Sequence, residues 1–498
     1  MQKHLKSVSV FAILAFSLLL ILPIEGLAGK SDKGEIPTTT KSEEALTVFM
    51  KGQDTLDLGE FLEANALFKK AVEKDPNFAY AYLNIANSAT STAEFKTNMD
   101  LASANMKGIS EGEKILIKIN LTFLTNDTEK RLELAKKLVE KYPKSQRAWI
   151  TLAGIQTARN EAEAARASLK KAVELDPTFY LPYLNLGFSY LFSEPKDFAK
   201  SKKYMQKVVK LKPEKDTLYI SLGDAYRANQ ELEKAREAYT KAAELDPTNG
   251  IAFLKKGHIN SFLGNFDEAR QDYQQGVTFA QDLQKPTYAN YKAFTYLHEG
   301  DAKSAIHALQ KIADSIDTMG IPKHQQNGPR IFTLTNQATI ALHHNMFDQA
   351  EKCLEQRSKF MREQAEVTGT PEAKRNQEAT IILWEGLLAA RKGDFKKAAQ
   401  KAEENAKLLE SDNNPRKLEG YHQLMGLLNL KQKKYEKAIE HYKKANLNNM
   451  YIRYHLGLAY EGAGKNEEAK KIFNEVATFN FNSVGFALVR KEAIEKMS

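Results

Sequence analysis

The chain has 498 residues, 42% of them hydrophobic and 27% charged, with a formal net charge of +9 and one cysteine. This composition is typical of a soluble folded protein and excludes a largely disordered chain. Because acidic and basic residues alternate along the sequence, the charge indicates solvated helix faces and predicts no nucleic-acid partner. Cys353 cannot form an intramolecular disulfide bond, and its apolar helical surroundings favour a core position.

The N-terminal residues have the pattern of a secretory signal peptide. A positive start, Lys3 to Lys6, precedes an apolar run from Phe11 to Ile24, and small residues up to Ala28 suit cleavage. We therefore expect residues 1–28 to be removed from an exported protein, periplasmic or extracellular, and residues 29–44 to form a polar linker. The alternative is an uncleaved membrane anchor, since about 20 apolar residues span a bilayer.

A repeating pattern follows this N-terminal part. Pro143, Pro177, Pro213 and Pro247 are separated by 34, 36 and 34 residues. Between them, two apolar stripes at helical spacing are separated by a short polar turn, and the second stripe ends at the proline. Each repeat is therefore predicted to be a helical hairpin.

A small residue in the first helix of each hairpin recurs 12 positions before an alanine in the second. This spacing indicates that the two helices cross too closely for a large side chain. The ten pairs are Gly52 and Ala64, Ala153 and Ala165, Gly187 and Ala199, Gly223 and Ala235, Gly257 and Ala269, Ala293 and Ala305, Ala338 and Ala350, Gly386 and Ala398, Gly426 and Ala438, and Gly457 and Ala469.

Residues Tyr219 to Pro247 carry an aromatic residue, a Leu-Gly pair, a tyrosine, and then Ala, Tyr, Ala and Pro. With this pattern the chain resembles the tetratricopeptide repeat family, and the resemblance covers about residues 45–480. The resemblance implies an all-α fold, a right-handed superhelical solenoid of stacked helix hairpins. The first helices of such a solenoid line a concave groove that suits a peptide or a partner helix.

Repeat spacing suggests a division of this array. We expect an N-terminal tetratricopeptide array over residues 45–320, a joint at 321–330 where Gly and Pro cluster, and a C-terminal array over 331–480. The repeats of the C-terminal array are longer, so longer helices or looser loops must absorb the extra residues.

The end of the chain, residues 481–498, lacks a second helix to pair with. We expect it to be a capping helix, because the last hairpin of a solenoid otherwise exposes its stacking face. The number of repeats stays open within 80–145, where simple helical spacers are the alternative, and within 321–418.

No motif in the sequence carries enzyme chemistry. The string from Gly462 to Lys465 resembles the end of a phosphate-binding loop, but it lies in a helical hairpin. His343 and His344 are adjacent and so point in different directions from a helix, which does not suit zinc. We expect no enzymatic activity, no cofactor and no metal site.

The candidate partner-binding residues are the first-helix positions that stacking does not use. Arg227 and Lys255 could bind a carboxylate, and Phe188 could serve as an apolar anchor. Ordinary solvated groove residues are the alternative interpretation. The full predicted set is Asn185, Phe188, Ser221, Asp224, Arg227, Lys255 and His258.

The sequence therefore predicts a non-enzymatic scaffold that binds a peptide or partner protein in the groove of an exported array. One alternative is a membrane-tethered assembly factor, which requires that the signal stays uncleaved. The other is an enzyme or ligand sensor built on the same helices.

Overall fold

The computed structural model describes residues 34–497, so the expected signal peptide at 1–28 lies outside the described residues. The described part of the chain contains 25 α-helices, which confirms the all-α class. It forms two compact units, residues 34–225 and residues 226–497. None of the helices within 34–497 is both long and apolar enough to cross a bilayer.

Consecutive helices of the first unit pair as antiparallel hairpins, beginning with α1 and α2 and continuing through α9 and α10. The stretch 80–145, where the repeat pattern is weak, also forms hairpins, α3 with α4 and α5 with α6. The helices are α1 (Glu43–Asp57), α2 (Phe61–Lys74), α3 (Ala79–Asn87), α4 (Thr92–Ala104), α5 (Glu111–Thr125), α6 (Thr128–Lys141), α7 (Gln146–Ala158), α8 (Ala162–Leu175), α9 (Leu181–Phe192), α10 (Phe198–Leu211) and α11 (Asp216–Ala228).

The second unit continues the same hairpin pattern. Two of its helices, α18 and α19, have 22 residues each, and they account for the longer repeats that the sequence predicts there. The helices are α12 (Leu232–Leu245), α13 (Gly250–Leu263), α14 (Phe266–Phe279), α15 (Lys285–Glu299), α16 (Ala302–Ser315), α17 (Asn327–His343), α18 (Phe347–Thr368), α19 (Pro371–Lys392), α20 (Phe395–Leu408), α21 (Glu419–Lys431), α22 (Tyr435–Lys443), α23 (Met450–Gly462), α24 (Asn466–Ala477) and α25 (Val484–Glu495).

Most glycines of the ten pairs that can be compared face a large side chain of the second helix of their own hairpin, whereas Gly386 faces Leu424 of α21. A Cβ atom placed on Gly426 would lie 2.7 Å from the Tyr442 ring, and one placed on Gly457 would lie 2.6 Å from the Phe473 ring. The ring comes 16 positions after the glycine, one turn beyond the alanine that the sequence pattern highlights. Glycine is therefore required at these positions because the ring occupies the space that a side chain would need.

The described part of the expected linker packs against the first unit. Ile36 is only 1% exposed. The Thr39 backbone N–H donates to Glu113 Oε1 (2.7 Å), and Thr40 Oγ1 donates to Asp75 Oδ2 (2.6 Å). Residues 35–41, part of the expected polar linker at 29–44, are therefore held against the first unit by hydrogen bonds.

The expected joint at 321–330 contains a change of local structure. Two 3₁₀ turns, Ile316–Thr318 and Lys323–Gln325, separate α16 from α17. The boundary between the compact units, however, falls between Ala225 and Tyr226, inside α11.

The last helix, α25, packs against α24 as a capping helix would. It also contacts α15, α17 and α23, all of which are first helices of their hairpins. The C-terminal end thus lies along the first-helix side of the second unit, a position that a simple terminal cap would not have.

Candidate functional site

The first helices of the second unit surround a cavity of about 530 Å³. Residues from α17, α19, α21 and α23 line one side, and residues 479–485 form another wall. The lining is mainly apolar, with Trp384, Leu387 and Leu427 as large members. We take this cavity as the candidate functional site of the second unit.

The repeat pattern explains which side chains face the cavity. Asn336 and Thr339 lie two positions before and one position after Ala338, and Trp384 and Leu387 have the same offsets from Gly386. Asn185 and Phe188 have the same offsets from Gly187, so they occupy the equivalent face of α9.

Arg391 is the cation of the cavity. Its Nη2 donates to the Tyr451 hydroxyl (2.6 Å) and to His455 Nε2 (3.0 Å). His455 Nδ1 lies 2.7 Å from the Tyr451 carbonyl oxygen and must donate to it, so Nε2 carries the lone pair that Arg391 needs. Burial and the Arg391 charge lower the pKa of His455 to about 3, and the ring is neutral at physiological pH.

The network continues from Tyr451 to α25. The Tyr451 hydroxyl lies 3.1 Å from His343 Nδ1, and His343 Nε2 lies 3.0 Å from Glu492 Oε1. If Tyr451 donates to His343, the opposite nitrogen of that ring donates to the carboxylate of Glu492. The donors that link these residues, from Nη2 of Arg391 to Nε2 of His343, then each have an acceptor, so α17, α19, α23 and α25 are held in one arrangement.

Residues 478–497, here called the C-terminal segment, cover the first-helix side of α13 and α15. The Phe486 ring packs edge-on against Phe262 (5.4 Å between centroids), and Arg227 stacks over Phe481 (4.4 Å). Among the hydrogen bonds that hold the segment are those from Gln230 Nε2 to the Thr478 carbonyl (2.6 Å), from Asn480 Nδ2 to the Arg227 carbonyl (3.3 Å) and from Asn482 Nδ2 to the Tyr273 hydroxyl (3.1 Å).

Three predicted groove residues belong to the second unit. Arg227 and His258 are 5% and 7% exposed, whereas Lys255 is partly exposed. His258 Nδ1 hydrogen-bonds the Tyr273 hydroxyl (2.7 Å), and burial lowers its pKa well below the usual value. Arg227 and His258 are therefore largely buried. The chain's own C-terminal segment lies over Arg227, a contact that the sequence alone does not show.

The other four predicted residues belong to the first unit. Ser221 is buried and donates to the Thr217 carbonyl (3.1 Å), and Asp224 is partly exposed. Asn185 has a buried Nδ2 atom without a hydrogen-bond acceptor among the described residues. Phe188 stacks on Phe192 (6.1 Å between centroids, 24° between planes). The peptide-binding role of all seven residues stays a prediction.

No group of three or more His, Cys, Asp or Glu side chains within residues 34–497 is arranged to hold a metal ion. Cys353 is 1% exposed and its Sγ lies 3.1 Å from Gln337 Oε1. Burial raises the pKa of this thiol, so it is held as a neutral core group.

Six segments of the chain match models described as tetratricopeptide repeat. They are residues 49–95, 146–179, 217–249, 252–283, 420–447 and 451–483.

Curated relatives share only part of their length with this chain. Anaphase-promoting complex subunit 3 of Schizosaccharomyces pombe is 24% identical over 211 residues, which are 42% of this chain and 31% of that protein. Hsp70-Hsp90 organizing protein 3 of Arabidopsis thaliana is 26% identical over 118 residues, 24% of this chain and 21% of that protein. The chain thus spans a third or less of these two relatives.

Solved structures are similar at a low level. The APC/C hetero-tetramer Cut9-Hcn1 has 16% identity and a TM-score of 0.36, covering 91% of this chain and 76% of that one. YrrB, whose structure is described as a tetratricopeptide repeat protein with an unusual peptide-binding site, has 21% identity and a TM-score of 0.31, covering 39% and 96%. Together with the helical hairpins of both units, the matched segments confirm that this chain contains multiple tetratricopeptide repeats.

Proposed function

We propose that this protein is a non-enzymatic scaffold and that it is exported. It binds a peptide or partner protein on the accessible face of α9, the first helix of its hairpin. The observation that carries the binding proposal is an aromatic pair with one exposed ring. Phe188 and Phe192 stack on one face of α9; Phe188 is partly exposed and Phe192 is 58% exposed. An aromatic ring that is accessible and supported by a second ring suits an anchor for a partner.

Asn185 adds polar recognition to the same face. It precedes Phe188 by three positions and Phe192 by seven, so the three side chains follow one line along the helix. Its buried Nδ2 atom lacks an acceptor among the described residues. The partly exposed Asn185 thus places a polar side chain beside the two rings, on which an apolar side chain of a peptide would pack.

A substitution of Phe192 tests the binding proposal. A random peptide library is selected on the full-length protein, and the affinity of the strongest peptide is measured by calorimetry. We expect Phe192→Ala to weaken binding by about 10-fold or more, because an anchor residue contributes roughly 2 kcal/mol. The matched control is Phe279→Ala, which removes a ring that is 40% exposed and stacks on Phe253 at 6.0 Å.

Equal affinity of both variants and the parent would contradict the site on α9. A turnover screen on the purified protein tests the enzyme alternative, since robust hydrolysis abolished by one substitution would contradict a scaffold. The N-terminal sequence of the mature protein tests export, because cleavage after Ala28 removes the apolar run and an intact N terminus supports a membrane anchor.

A further inference from the structure

We propose that the cavity of the second unit binds a small organic acid, a carboxylate on an apolar body, with Arg391 as the partner of the carboxylate. This site is separate from the peptide site proposed on α9, and it makes the second unit a ligand-binding module.

The size and walls of the cavity fit such a ligand. Its volume of about 530 Å³ lies within the roughly 300–1,000 Å³ of small-molecule pockets. The indole of Trp384 and the side chains of Leu387 and Leu427 supply apolar surface, whose burial favours an alkyl or aryl body. Residues 479–485 close one side, and a bounded space suits a small molecule better than an extended peptide.

Arg391 provides a charge that its surroundings do not neutralise. No Asp or Glu among the described residues forms an ion pair with it, whereas Arg270 and Arg453 of the same unit pair with Glu299 and Glu475. The hydrogen bonds of Arg391 to other described residues use both N–H groups of Nη2. A ligand carboxylate would therefore accept a single charged hydrogen bond from Nε or from Nη1, because each parallel donor pair of a guanidinium includes Nη2.

The neighbours of Arg391 hold it in position before a ligand arrives. Tyr451 and His455 accept from Nη2, and the His455 ring is itself fixed by its bond to the Tyr451 carbonyl. A cation that is already ordered loses little conformational entropy on binding. The nearest carboxylate of the network, Glu492, is separated from Tyr451 by His343, to which it is hydrogen-bonded.

Tryptophan fluorescence gives a local measurement. The chain has two tryptophans, and Trp384 lines the cavity whereas Trp149 lies on α7. In the full-length protein with Trp149→Phe, octanoate is titrated against octanamide, which has the same apolar body without the charge. We expect saturable binding of octanoate, with octanamide binding about 10- to 100-fold more weakly because the charged hydrogen bond is lost.

Two variants and a control locate the binding. Arg391→Gln should weaken octanoate binding by a similar factor, and Thr339→Phe should abolish it by filling the cavity while Arg391 stays intact. The control is Lys431→Gln, because Lys431 lies five positions after Gly426 just as Arg391 follows Gly386, yet it does not line the cavity. We expect this control to bind octanoate within about twofold of the parent.

Equal affinity for octanoate and octanamide would overturn the proposal even if Arg391→Gln fails to fold, because that comparison needs no variant at the site. Equal loss in Arg391→Gln and Lys431→Gln would also overturn it, since it would indicate diffuse attraction. A final titration uses the dipeptide N-acetyl-Leu-Leu, which has a free C-terminal carboxylate. Binding of this peptide without binding of octanoate would show a chain terminus as the ligand and would overturn the small-acid proposal.

Discussion

At the residue scale, Glu113 connects the N-terminal segment to α5. Its carboxylate accepts from the Thr39 backbone N–H (2.7 Å), Thr39 Oγ1 (2.6 Å) and the Ser110 backbone N–H (2.8 Å). These donors favour the ionised form, but burial opposes them and raises the pKa of Glu113 to about 7. The same side chain therefore serves as a helix cap, as an anchor for residues 35–41 and as a buried titratable group.

This raised pKa predicts a pH effect on stability. Between the unfolded pKa of 4.5 and the folded value of about 7, folding takes up a proton, so the contribution of Glu113 to the free energy of unfolding is fully present below pH 4.5 and is lost as pH rises to 7. The slope is at most about 1.4 kcal/mol per pH unit. We expect Glu113→Gln to remove this slope. The free energy of unfolding is measured by urea unfolding across this pH range, with a probe in the first unit.

The control is Glu111→Gln, in the same first turn of α5. Glu113→Gln should also lower stability at pH 7 by about 1–3 kcal/mol, because the new amide N–H₂ faces donors instead of acceptors. A slope that persists unchanged in Glu113→Gln would assign the pH dependence to another group.

At the element scale, the hairpin is the unit that the sequence predicts well. A hairpin whose two helices cross at a small residue and an alanine is a local feature of the sequence. Hairpins are present in the structure even over 80–145, where the pattern is weak. The pattern does not predict which side chain packs against each small residue. The ring of Tyr442 that fills the space opposite Gly426 is 16 positions away, and its position depends on how the two helices rotate on packing.

This contact predicts a difference between two helical glycines. Gly426→Ala would place a Cβ atom 2.7 Å from the buried Tyr442 ring, and overpacking of this kind costs about 1–3 kcal/mol. Gly328, near the start of α17, has no atom other than those of its chain neighbours and its own helix backbone within 4 Å of the corresponding position. Gly328→Ala should therefore cost less than Gly426→Ala, because only the ring of the following Pro329 opposes an alanine there.

Thermal and urea unfolding of both variants measure the difference. Both substitutions add the same methyl group to a helix, so propensity alone predicts the same sign for each. A stabilised Gly426→Ala variant would show that Tyr442 can move away at little cost, and it would remove the packing reason for glycine at this position.

At the scale of the whole molecule, sequence reasoning was limited by contacts between distant residues. The tetratricopeptide signature predicts which face of each first helix is available, and Asn336 and Trp384 follow that rule in the cavity. It does not predict that Asn482 lies against Tyr273, 209 positions earlier. A repeat pattern predicts contacts between neighbouring hairpins. It does not predict a C-terminal segment that packs against the distant helix α13, because that contact has no periodic signal in the sequence. Arg227 and His258 therefore looked accessible in the sequence and are buried in the structure.

The returning segment predicts where the stability of the second unit resides. Phe486 is 0% exposed and packs against the rings of Phe262 and Phe479. Phe486→Ala should lower the free energy of unfolding of this unit by about 3–5 kcal/mol, because it leaves a cavity between α25 and α13. Ile494→Ala, on the same helix but 44% exposed, should cost well under half of that.

Hydrogen exchange separates this effect from general destabilisation. If the C-terminal segment stabilises the first-helix side, Phe486→Ala raises amide exchange in α13 and α15, whose rings contact Phe486, more than in α20, which packs mainly against α19 and α21. Because local opening depends on the contacts that close a region, a uniform rise across α13, α15 and α20 would mean that the unit unfolds as one block. Unchanged exchange at α13 would instead mean that the segment is only loosely held, and Arg227 would then be accessible to a partner after all.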